Sequence, residues 1–177
     1  LVAEVYALFG FHRYQIEVST RPSKSIGSDA MWRAAEDALT RSLESKGIAY
    51  TLNPGEGAFY GPKIDYHIQD SLGRTWQCGT IQVDYSMPER FDLEYVGADN
   101  AKHRPVMIHR AIFGSIERFI GILIEHFGGA FPLWLAPVQC VVIPITDKHH
   151  AAADAAAERL GREGIRVRVD GRNEKMG

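Results

Sequence analysis

Cysteine is nearly absent from this sequence, and the absence removes whole classes of architecture. Cys78 and Cys140 are the only two. They form no disulfide-like or metal-like spacing, so a reducing, cytoplasmic setting is the expectation. A basic excess is also missing. Twenty Lys and Arg face 22 Asp and Glu, for a net charge of −2, so any RNA contact must rest on local groups and not on a global field. No apolar run approaches the roughly 20 residues of a membrane span. The longest candidate, residues 116 to 127, is broken by Glu117, Arg118, Gly121 and Glu125. No signal-like segment follows Leu1. Repeats are absent, and the one biased stretch is the alanine-rich Ala151 to Ala157. What is there is a globular composition, 45% hydrophobic and 24% charged, enough for a real core.

The pattern along the chain predicts two regions. Residues 1–10 read as the last turns of an amphipathic helix stopped by Gly10, and Arg172 to Gly177 follows with no closing element. Both ends therefore read as cut from a longer protein. His12 to Ser19 reads as a strand. Ser28-Asp29 caps a helix that Gly47 ends, with Met31, Ala35, Ala38 and Leu39 on one face. Ile48 to Leu52 reads as a strand before the turn chemistry of Asn53 to Gly57. Ile64, Tyr66 and Ile68 alternate with Lys63, Asp65 and His67. After the turn at Asp70 to Gly73, residues 74–85 return as the second arm of a hairpin. Short strands are expected at Phe91 to Val96 and Pro105 to Arg110. Ile116, Phe119, Ile120, Leu123, Ile124 and Phe127 then form a helical stripe. The connector 131–137 holds the expected boundary, giving domains 1–134 and 135–177. Val138 to Ile145 reads as a strand covered on both faces. A helix from Thr146-Asp147 to Gly164 and a strand at Ile165 to Val169 complete a β-α-β crossover. The fold class is α+β, an antiparallel sheet with helices beside it, followed by the start of an α/β domain.

Several strings stand out together: Ser19-Thr-Arg-Pro22, Gly55-Glu-Gly-Ala-Phe-Tyr-Gly-Pro-Lys63, Trp76-Gln-Cys-Gly-Thr-Ile-Gln-Val-Asp84, Tyr95-Val-Gly97, Val106 to Phe119 around His109-Arg110 and Gly114-Ser-Ile-Glu-Arg118, and Arg172-Asn-Glu-Lys175. In this order they closely resemble bacterial-type threonyl-tRNA synthetases, members of class II, over essentially the whole chain. The resemblance implies the C-terminal half of the catalytic domain and the start of an anticodon-binding domain. Gly114 to Arg118 is similar to the third class II motif, with Ser115 where many members carry a second glycine. The first two motifs would lie before Leu1.

The same resemblance implies roles for individual residues. Arg118 and Lys63 are the catalytic candidates. Tyr60, Gln82 and Cys78 are candidates for the threonine pocket, with Cys78 as lining and not as nucleophile. Gln77, Thr80, Ser115 and Arg118 are candidates for contact with ATP and its Mg2+. His109 resembles a zinc ligand whose Cys and His companions lie upstream. Zinc has a physical logic here. Valine is nearly isosteric with threonine, and only a site that needs the hydroxyl rejects it well. Asn173 is the candidate for reading a tRNA base. The implied partners are threonine, ATP, tRNA(Thr) and a second copy in a homodimer, without a membrane. The fragment alone is expected to be inactive.

The residues also carry blander readings. A lone histidine is more often a core residue than a ligand, Arg118 could be a solvated helix arginine, Ser115 a helix cap, and Gln77, Thr80 and Gln82 an ordinary polar face. A non-catalytic synthetase-like RNA-binding or regulatory module is the alternative function, but it would be expected to have lost Arg118, His109 and Gln77. Geometry supplies a sharper condition. On one strand, residue 77 has opposite parity to 80 and 82. All three face one pocket only if the ladder is interrupted, and Gly79 is the natural place.

Overall fold

The computed structural model describes residues 1–172. They fall into two units, divided between His126 and Phe127. The first is built on a five-stranded sheet. Its strands are β1 (Tyr14–Ser19), β2 (Thr51–Asn53), β3 (Lys63–Gln69), β4 (Thr75–Asp84) and, after a separate two-stranded ribbon of β5 (Tyr95–Val96) and β6 (Lys102–His103), β7 (Met107–Ala111). The spatial order is β2-β1-β3-β4-β7. All pairs are antiparallel except β1 with β2. Three helices flank the sheet strands: α1 (Val2–Leu8), α2 (Asp29–Glu44) and the short α3 (Ser86–Arg90), and α4 (Ile116–Phe127) follows β7.

Strand alternation sorts the two faces. Ile16, Val18, Ile64, Tyr66 and Ile68 are buried. Tyr6 of α1 is fully enclosed, with its ring edge-on to Tyr14 and Tyr66. Its hydroxyl donates to the carbonyl of Ile112 at 2.8 Å, and burial, with Cys78 and the two tyrosines nearby, pushes its pKa far up. The phenol therefore stays a donor. It ties α1 to the turn that leads into α4.

Helix α2 starts where its sequence says it should. The Ser28 side chain accepts from the Met31 N–H, the usual N-cap bond. Its buried face is Trp32, Ala35, Leu39 and Leu43, one step round from the expected one, and Ala38 is exposed. Trp32 sets the rotation. Its indole N–H donates to the Ile26 carbonyl and Arg21 lies over its ring. A similar turn separates expectation from structure in α4, where Phe119, Ile122 and Leu123 are buried and Ile116, Ile120 and Ile124 are exposed. Phe9, Phe11 and Phe113 gather on the Phe119 ring and fix which apolar row faces inward. Residues 91–94 are not a strand. Helix α3 ends at Arg90, and Leu93 N–H closes back on the Pro88 carbonyl.

The second unit contains β8 (Cys140–Val142), one 3-10 turn (Asp147–His149), α5 (His150–Arg162) and β9 (Val167–Val169), with β8 and β9 parallel. Strand β8 is shorter than the apolar run 138–145 suggests, and Val141, Ile143 and Ile145 are exposed. Among the described residues it pairs with β9 alone, too little to cover two faces. Arg166 ties the connector down by donating to the carbonyls of Ala136 and Trp134.

Two local devices hold the first sheet's loops. Gly61 approaches β4 so closely that a Cβ there would stand 1.9 Å from the Val83 carbonyl oxygen. Asp70, at the hairpin turn, is enclosed. It accepts from the Trp76 indole, the Arg74 guanidinium and two backbone N–H groups. Burial alone would raise its pKa, but those four donors outweigh it and hold the group at about 2.

Two outcomes follow. Gly61→Ala should cost about 1–3 kcal/mol, the usual penalty of overpacking against fixed backbone, read as a lower urea midpoint. Asp70→Asn should destabilise at neutral pH. Because the folded pKa is depressed from 3.8 to about 2, its contribution is fully present above the unfolded value and fades as pH falls between the two. The gap between wild-type and variant midpoints should therefore narrow from pH 4 towards pH 2. A gap that stays constant across that range contradicts the assignment.

Candidate functional site

The site begins with the interruption in β4. Tyr66 pairs with Gly79, but its neighbour His67 pairs with Gln77, so Cys78 is an extra residue and the register shifts there. The ladder is broken beside Gly79, as the parity argument requires. Gln77 thereby joins Thr80 and Gln82 on the face opposite the buried tyrosines. Gln77 Nε2 reaches the Thr80 hydroxyl at 3.2 Å. The extra residue itself turns inward. Cys78 is 2% exposed, so it lies behind the polar face, and burial pushes its thiol pKa up against the opposing charge of Arg118.

One straight row crosses four strands of that face. Ser19 pairs with Lys63, Lys63 with Gln82, and Gln82 with His109. Tyr60 leans in from the loop that Gly61 presses onto β4. Its hydroxyl donates to Gln82 Oε1 at 2.7 Å and its ring stands 5.7 Å from the His109 ring. Burial first, and then the charge of Asp84, raise the Tyr60 pKa against the opposing Gln82 bond. His109 is fixed by Asp84, with Nε2 at 2.9 Å from a carboxylate oxygen. Asp84 is fully buried and also accepts from the backbone N–H of Ser86 and Met87. A carboxylate only accepts, so Nε2 carries the proton shared with Asp84, and in the neutral ring Nδ1 is the nitrogen with the free lone pair.

The next row holds Asp65, 2% exposed. It accepts from Lys63 Nζ at 2.5 Å, Gln77 Nε2 at 2.5 Å, Thr80 Oγ1 at 2.9 Å and Ser19 Oγ at 3.1 Å. Beyond it, His67 Nε2 is enclosed and stands 3.4 Å from Glu17. Asp65 and Asp84 are the residues that sequence reasoning passed over. An acidic residue in an alternating strand looks like solvent face, and the only signal for Asp84 was its place at the end of the Trp76 to Asp84 string.

Arg118 closes one side. It is exposed, donates to the Gln77 carbonyl at 3.0 Å and lies 6.0 Å from the centre of the Trp76 ring. The turn before it needs glycine. Gly114 has φ +69, and a Cβ there would meet the Cys78 backbone at 3.2 Å. That contact lays the start of α4 on the interrupted part of β4. Ser115 accepts from the Arg118 N–H at 3.2 Å, a helix-cap bond that leaves its hydroxyl proton available. Tyr60, Lys63, Gln77, Thr80, Gln82 and His109 thus share one face, with Arg118 and Ser115 beside it. Asn173 lies outside the described residues. Among those described, no group of three His, Cys, Asp or Glu side chains is placed to hold a metal ion.

Comparison with known proteins places the chain in a family. Residues 1–127 match the tRNA synthetase class II core domain (G, H, P, S and T), and residues 139–177 match an anticodon binding domain. The chain is 62% identical to the threonine–tRNA ligase of Syntrophomonas wolfei over 100% of its own length and 28% of that protein. It is 64% identical to that of Desulforamulus reducens over 97% of its length and 27% of the relative. It therefore spans little more than a quarter of these relatives. The RNA binding domain of threonyl-tRNA synthetase from Cryptosporidium parvum superposes with a TM-score of 0.89 at 42% identity, covering 96% of this chain and 42% of that one. The chain belongs to the class II aminoacyl-tRNA synthetases, with a core-domain segment followed by an anticodon-binding segment.

Proposed function

We propose that this chain is the part of an ATP-dependent threonine–tRNA ligase that carries one wall of the active site and the entry to the anticodon-binding domain, with the boundary at 134/135. The observation that carries the reading is the single row Lys63, Gln82 and His109, with Tyr60 over it and Arg118 at its edge. In the reaction, the threonine carboxylate oxygen attacks the α-phosphorus of ATP. The bond to the bridging oxygen breaks and pyrophosphate leaves. A terminal hydroxyl of tRNA(Thr) then attacks the threonyl carbonyl and AMP leaves.

Each residue has a task set by its surroundings. Arg118 and Lys63 supply fixed positive charge where phosphate charge builds up. Gln77, Thr80 and Ser115 offer hydrogen bonds to ATP, whose Mg2+ screens its phosphates. Tyr60 and Gln82 face threonine, and Cys78 backs that pocket. His109 fits zinc through Nδ1, because a ligating histidine commonly gives its other N–H to a carboxylate, here Asp84. The remaining donors would come from outside this chain. Bound zinc supplies coordination sites for the threonine amine and hydroxyl, and the hydroxyl is the group valine lacks. The reading extends to Asn173 on a tRNA base and to a homodimeric, cytoplasmic enzyme, as the family resemblance implies. Among the described residues, no helix is long and apolar enough to cross a membrane.

The test is pyrophosphate exchange by the full-length enzyme that contains this chain. Threonine should support exchange far better than valine, serine or proline, and Arg118→Ala should lower kcat/KM by roughly 10²–10³-fold, as loss of a charge-stabilising donor does. RNA binding with no exchange would instead favour the non-catalytic module. Asp84→Asn should keep the fold but weaken zinc binding by about 10–100-fold, the usual effect of losing a ligand's hydrogen-bond partner. Metal content after dialysis against a graded chelator measures it.

A further inference from the structure

Burying a carboxylate is expensive unless its lone pairs are met. An ionised carboxylate offers about four acceptor positions, and Asp65 receives four donors, from Ser19, Lys63, Gln77 and Thr80. It is saturated and enclosed, so it has no capacity left for a ligand. Its donors do. Lys63 uses one of three ammonium protons on Asp65. Gln77 spends its amide N–H groups on Asp65 and Thr80, which turns its Oε1 away from the carboxylate. Asp65 accepts only, so the opposite amide orientation is excluded. Separately, the Gln77 backbone carbonyl accepts from Arg118. The amino-acid side of the face has its own buried anchor, since His109 rests on Asp84, and no hydrogen bond joins the two carboxylates.

We infer that Asp65 is the positioning residue for the nucleotide half of the site. It aims Lys63, Gln77 and Thr80 and touches no substrate, while Asp84 serves the amino-acid half separately. The inference rests on the reading of those three side chains as substrate-facing.

The experiment is steady-state pyrophosphate exchange by full-length enzyme with ATP and threonine varied independently, together with thermal unfolding. Asp65→Asn keeps the shape and removes the charge. KM for ATP should rise and kcat fall, each by roughly 10- to 100-fold, the range expected when charge-assisted hydrogen bonds are lost, with KM for threonine changed less than about threefold. A general loosening would move both KM values together with the melting temperature, and that result overturns the inference, as does an unchanged KM for ATP in folded protein. Lys63→Met covers the case in which the single variant does not fold, because it removes the uncompensated cation. In that background Asp65→Asn should cost less than in wild type, since one of its routes is already gone. Strict additivity of the two changes overturns the inference as well. Wild-type enzyme with no threonine-dependent exchange would sink the assigned reaction, a failure that is visible before any variant is made.

Discussion

One extra residue in a β-strand governs how this wall of the site is assembled. Side chains on a regular strand alternate, so Gln77 would face the tyrosine core while Thr80 and Gln82 faced out. The insertion of Cys78 resets the phase. It costs one ladder position and places the thiol where burial favours its uncharged form. The start of α4 fits against the same spot, because Gly114 brings the backbone onto Cys78, and Arg118 reaches the Gln77 carbonyl from there. The irregular strand and the helix that follows β7 therefore depend on each other's geometry. Tyr6, bonded to Ile112 just before that turn, braces the arrangement from the core side.

Much of this was legible from residue pattern. The β3–β4 hairpin followed from alternation and turn chemistry, and the break in β4 followed from the resemblance that put Gln77, Thr80 and Gln82 in one pocket, combined with their parity and a glycine. The Ser28 cap was readable because its bond is local. Other features were not, and the reason is physical. Helix α4 carries apolar residues over more than one face, so periodicity left its rotation open until Phe9 and Phe11, just after α1, and Phe113, in the turn before α4, chose Phe119. Strand β8 looked long because a run of Val and Ile records a capacity to be buried, not the presence of neighbours to bury it. Asp65 and Asp84 were invisible as anchors. In sequence, a buried carboxylate and a solvated one are the same letter, and only the donors that the fold gathers round them distinguish the two.

The anchors also explain why so much polarity is tolerated on one sheet face. Lys63, Gln77 and Thr80 would each lose side-chain freedom in being held ready. Sharing one saturated acceptor orders all of them in the folded protein, before any ligand arrives. The same holds for His109 on Asp84, with two backbone N–H groups keeping the carboxylate itself from turning.

The family model that covers residues 1–127 spans enzymes for glycine, histidine, proline, serine and threonine. A sheet whose two halves hang from different carboxylates suits such divergence. If Tyr60, Gln82 and His109 face the amino acid as proposed, the strand ends around them and Asp84 are free to change without touching the Asp65 cluster. On the proposed assignment of roles, a change in which amino acid is chosen need not disturb the side chains that meet the nucleotide.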